Sequence, residues 1–170
     1  RHKKRMLALG GESGKIGVEE AMMKVVKNQS QGNEDAARVW YECAQAYKNQ
    51  AEALEREDEI EAVLHEKIAL ALGGNMVAPG AGYAYERAAL RKSEGQKKAA
   101  AAWYKSAQAY ENKANAIEGK NIDAAELYEK KALALGGNIV VLGAGYAYER
   151  AAMAEVLKFT KPAKEYDKSA

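Results

Sequence analysis

The sequence predicts an all-α helical-repeat protein, and three observations carry that expectation. The string ALGG recurs at Ala8, Ala71 and Ala134, each occurrence 63 residues after the last. Between these marks, apolar side chains recur at alternating spacings of four and three, which is one face of an α-helix. Proline supplies only 2 of 170 residues, while alanine, glutamate and lysine dominate, a composition that favours helix. The period runs without a gap. Trp40-Tyr41 maps onto Trp103-Tyr104, GAGYAYERAA at Gly80 recurs at Gly143, His2 maps onto His65, and Lys105-Ser106-Ala107 maps onto Lys168-Ser169-Ala170. Self-similarity at a fixed period of this length marks repeat architectures.

Each period divides into three helices, A, B and C. Helix A, about residues 81–92, spreads Tyr83, Ala84, Tyr85, Ala88, Ala89 and Leu90 around most of its circumference, so it is expected to pack on more than one side. Helix B, about 96–117, follows a glycine and sets Ala99, Trp103, Ala107, Tyr110, Ala114 and Ile117 in one stripe. The preceding copy repeats that stripe with Ala36, Trp40, Ala44, Tyr47, Ala51 and Leu54. Large beside small is the pattern that lets helix axes approach while aromatics fill the gaps. Helix C, about 122–135, carries Ala125, Tyr128, Ala132 and Leu135 on one face and ends at Gly136-Gly137, where a left-handed cap is sterically free. No segment alternates as a strand.

Residues 68–85, IALALGGNMVAPGAGYAY, hold no charge and are as long as a minimal membrane span. Gly73-Gly74-Asn75 followed by Pro79 divides them into a helix stop and a helix start, so a turn between two helices is expected instead. By the period, residues 1–9 are the end of a helix C, 10–72 and 73–135 are complete copies, and 136–170 stop inside a helix B. A chain that begins without Met, and begins and ends within a helix, is expected to be part of a longer array. Three antiparallel helices per copy would reverse the chain at each step, which leaves open an obliquely crossing helix. Continuous stacking, an α-solenoid, is favoured over a string of separate three-helix units.

The 26 basic and 24 acidic residues leave a net charge of +2, with no broad attraction for nucleic acid or anionic lipid. A lone cysteine, Cys43, excludes an internal disulfide and every cysteine-based zinc site. No apolar stretch of signal-peptide length follows Arg1-His2-Lys3-Lys4-Arg5, so the expected location is cytoplasmic.

AAAAWYKSAQAYENKA from Ala99 and AAELYEKKALALGG from Ala124 resemble the helix pairs of tetratricopeptide-type repeats, and the longer succession ALRKSEGQKKAAAAWYKSAQAYENKANAIEGKNIDAAELYEKKA resembles the soluble NSF attachment proteins. The resemblance covers the repeat helices throughout. It implies an α-helical interaction scaffold and, more narrowly, an adaptor in SNARE-complex disassembly. The 63-residue unit and the closeness of its copies depart from both patterns.

Catalytic constellations fail on inspection. GGESGKIG at Gly10 looks like a phosphate loop, yet Leu9 stands where the motif needs its first glycine, and Ile16 where it needs Ser or Thr. GAGY lacks the strand and the third glycine of a dinucleotide fingerprint and reads as close helix packing. His2 and His65 occupy equivalent positions at a core edge, and Cys43 stands where the other copies have Ser106 and Ser169, a small residue on a helix flank. Glu55, Glu57, Asp58, Glu59 and Glu61 cluster at the B to C turn as exposed charge near a helix N-terminus. No catalytic, cofactor or metal residue is expected. Most of the Tyr and Trp read as core. Tyr41 and Tyr104, one position off the stripe, with Tyr83 and Tyr146 on helix A, form the candidate partner-binding surface. The expected function is a non-enzymatic scaffold for another protein, with a self-associating subunit of a filament or lattice as the alternative.

Overall fold

Helix ends are set locally at matching places in the two complete copies. Gly32 and Gly95 take φ of +74° and +75°. Beside them the amides of Asn33 and Gln96 donate to the carbonyls of Asn28 and Arg91, closing a Schellman motif that stops helix A. Asp58 and Asn121 cap the start of helix C, each accepting from the amide three residues on. In the loop before each later helix A, Asn75 and Asn138 accept two downstream amides.

The computed structural model describes the backbone of Ala8 and of residues 17–169, and side chains as far as residue 158. It is all-helical, with seven helices and no strand among the described residues. These are α1 (Val18–Ser30), α2 (Glu34–Glu55), α3 (Glu59–Leu72), α4 (Ala81–Ser93), α5 (Lys97–Glu118), α6 (Ile122–Leu135) and α7 (Ala144–Ser169). The bounds of α4, α5 and α6 are those of α1, α2 and α3 moved by 63 residues. His2, Ala170, the GGESGKIG loop up to Ile16 and, apart from Ala8, the expected helix tail at 1–9 lie outside the described residues. The uncharged 68–85 stretch is the end of α3, a loop and the start of α4, and no helix among the described residues is long and apolar enough to cross a membrane.

The long helices α2 and α5 lie at the centre. Each packs against the helices before and after it, and α5 also packs on α3, α4 on α2, and α7 on α5. The stripes expected on helix B are buried from Ala36 to Leu54 and from Ala99 to Ala114, with Ile117 half-buried. A second stripe, Val39, Cys43, Ala46, Gln50 and Ala53, is buried beside the first on α2, because this helix has neighbours on more than one side. Cys43 is therefore a fully buried core residue rather than a flank residue. Its thiol donates to the Ala69 carbonyl at 3.2 Å, as the Ser106 hydroxyl does to Ala132 at 2.8 Å.

Trp40 and Trp103 are the largest fully buried side chains. Each indole lies between the glycine ending one helix and a glycine in the first turn of the next. A methyl group on Gly73 or Gly82 would come within 2.6 Å of Trp40, and one on Gly136 or Gly145 within 2.6 Å of Trp103. The GAGY string is thus a close-packing device.

The third copy differs. Where the first two have Ser30-Gln31-Gly32-Asn33 and Ser93-Glu94-Gly95-Gln96, it has Val156-Leu157-Lys158-Phe159. Without a glycine for the left-handed turn, the expected break between A and B does not form, and α7 runs as one helix to Ser169 with Pro162 inside it.

Candidate partner-binding surface

Polar contacts join successive copies. Glu149 on α7 accepts from Arg87 at 2.8 and 3.0 Å and from Trp103 Nε1 at 3.0 Å, and it also pairs with Arg91. The Arg87 guanidinium lies over the rings of Tyr146, Trp103 and Tyr83, at 4.8, 5.5 and 5.9 Å from their centroids. Burial works against the charge on Arg87, and the bonds to Glu149 outweigh it, raising its pKa. One copy earlier, Lys24, Asn28 and Glu86 fill the same positions: Asn28 donates to Glu86 at 2.8 Å and Lys24 lies over Trp40 at 5.6 Å. Farther along, Glu111 on α5 accepts from Arg38 on α2 at 2.6 Å and from Tyr85 on α4.

This network accounts for two of the four candidate tyrosines. Tyr83 and Tyr146 are half-buried, share a hydroxyl–hydroxyl bond of 2.7 Å, and both meet Trp103 edge-on. Burial and that bond push the Tyr83 phenol above its usual 10.0. The other two reach solvent: Tyr41 is 49% exposed and Tyr104 42%. Tyr104 stacks edge-on against Tyr85, with centroids 5.4 Å apart, and lines a groove of about 680 Å³ between α2, α4 and α5. Alanines form much of its floor, including Ala88, Ala89, Ala100 and Ala101. Tyr41 is not among its lining residues.

A second groove, of about 600 Å³, is lined by residues of α3, α5 and α6 and those flanking them. Its wall carries exposed apolar side chains: Ile60 at 83%, Ile122 at 72%, Val63 at 50% and Leu70 at 46%, with Leu64 and Ile117 half-buried between them. Ala125, three lysines and three glutamates complete the lining, and two pairs, Lys113–Glu129 at 3.3 Å and Lys120–Glu61 at 3.8 Å, span it. Sequence reasoning missed this site because it assigned helix C a single face. The signal was present in Ile60, Val63, Leu64 and Leu70, an apolar set at helical spacing beside the stripe of Ala62 and Ala69.

Among the described residues no group of three or more His, Cys, Asp or Glu is placed to hold a metal. His65 is half-buried beside Glu61 at 3.6 Å. Burial pushes the Cys43 thiol well above its usual 9.0, so no thiolate forms there near neutral pH. No family model, curated protein or solved structure matches the chain.

Proposed function

We propose that the chain is a non-enzymatic α-solenoid scaffold, of the kind its resemblance to tetratricopeptide-type and NSF-attachment proteins implies, and that it binds another protein in the α3–α5–α6 groove. One observation carries this reading: Ile60, Val63 and Leu70 of one copy and Ile122 of the next expose apolar surface into one groove that neither copy makes alone. Apolar surface held open between ordered helices suits the apolar face of a partner segment. The lining charges balance, three against three, so the partner is selected by apolar shape rather than by net charge.

Ile60 and Ile122 are largely in solvent, so replacing them with Asp leaves the core intact while polarising the groove. Peptides selected against the wild-type chain from a display library should bind the Ile60→Asp, Ile122→Asp double variant at least about tenfold more weakly, since each buried apolar anchor contributes on the order of 1.5–3 kcal/mol. Circular dichroism should not change. Undiminished binding would remove the groove from consideration.

A further inference from the structure

The α3–α5–α6 groove restricts the conformation of whatever fills it. Every lining residue except Lys120 lies within a helix, and the Lys120 amide itself donates to the Ile117 carbonyl. Amides and carbonyls inside a helix are bonded to one another, so an extended segment laid here would bury its own backbone against walls that offer it few partners. A helix brings its backbone bonds with it. The relief of the wall matches: on α3, Ile60, Val63, Lys67 and Leu70 follow at spacings of three, four and three, a ridge of the kind that seats against another helix. With 14 residues each, α3 and α6 run about 21 Å, room for three to four helical turns. The lining charges add a pattern. Lys113–Glu129 and Lys120–Glu61 pair with each other, which leaves Lys67 on α3 and Glu126 on α6, both exposed, on opposite walls. Glu126 is the counterpart of Val63 in the 63-residue period, so Lys67 stands four residues farther along, about 6 Å or one turn.

We propose that the occupant is an amphipathic α-helix of another protein, its apolar stripe on Ile60, Val63, Leu70 and Ile122, with an acidic side chain on one flank facing Lys67 and a basic one on the other facing Glu126, about one turn apart. The proposal rests on the groove being the binding site and adds the conformation and charge arrangement of the partner. Apolar contact alone would accept many helices. The offset pair admits one arrangement of flanking charges and rejects its reverse by like-charge contact, while the net charge of the groove stays balanced.

Calorimetric titration of the tightest peptide from the display library, with circular dichroism of the free and mixed components, tests this. The mixture should show more helix than the sum of its parts. Lys67→Glu, on an exposed site, should weaken binding about fivefold, and replacing the acidic flank residue of the peptide with Lys should restore it on that variant. Glu126→Lys should behave likewise toward the basic flank. Binding that is lost on Ile60→Asp, Ile122→Asp but brings no gain of helix would overturn the proposal and leave the groove standing, and so would charge reversals without effect. Binding that survives the double variant would remove the groove itself, and the helix with it. A wild-type chain that dimerises without peptide, and loses the dimer on Ile60→Asp, would put a second copy in the groove and overturn the proposal as well.

Discussion

Gly82 and Gly145 are the residues where the least atomic change has the largest expected effect. A methyl group on Gly82 meets the Trp40 ring at 2.5 Å, and the indole, 1% exposed, has no room to withdraw. Gly82→Ala should therefore destabilise the fold by about 1–3 kcal/mol, the usual cost of overpacking a core, read as a lowered denaturation midpoint. An unchanged midpoint would mean that the indole is not wedged there. Lys120 offers the opposite case. It is a non-glycine residue at φ 58°, and its ion pair to Glu61 is 3.8 Å long with Lys120 71% exposed. Relieving the left-handed backbone outweighs a pair that weak, so Lys120→Gly should raise stability by roughly 0.5 kcal/mol after the entropy of an added glycine. The left-handed residue is Lys120 rather than the neighbouring Gly119, and the amides of Lys120 and Asn121 close the turn.

At the scale of the element, helix bounds were legible because their punctuation is local. A Schellman glycine, an Asx cap and an Asn loop recur every 63 residues, and the structure places helices A, B and C within a residue or two of where the spacing does. What was not legible was how much of helix B is covered, since the burial of Val39 and Ala46 depends on neighbours distant in sequence. The uninterrupted α7 was written in VLKF standing for SEGQ, but the overall period masked it. The exposure of Tyr104 was legible in its offset by one position from the buried stripe. Arg87 and Glu149, 62 residues apart, carry no pattern that announces their pairing before the copies are stacked.

Across the whole molecule, charge is divided unevenly. Residues 18–72 hold twelve acidic and six basic side chains, whereas 81–135 hold seven acidic and ten basic. The junctions convert part of this division into paired contacts between copies, as at Glu61 with Lys120. The tyrosines bind the assembly to its protonated form. Burial raises the phenols of Tyr47, Tyr83, Tyr85 and Tyr110 above the ordinary 10.0, so each is more easily ionised in the unfolded chain than in the fold. The stability they contribute is complete below pH 10 and is lost as pH rises toward their folded values. Tyrosinate absorbance of these four should appear together with loss of helix above pH 10; ionisation with the helix signal intact would contradict their burial.

On the proposed function, two successive copies together form the binding groove. Mapping a selected peptide onto the chain by amide and methyl chemical-shift perturbation tests it most directly. Shifts should concentrate at Ile60, Val63, Leu70, Ile117 and Ile122, drawn from both copies at once. Shifts confined to one copy, or gathered instead around Tyr104 and the alanine floor beside it, would contradict it.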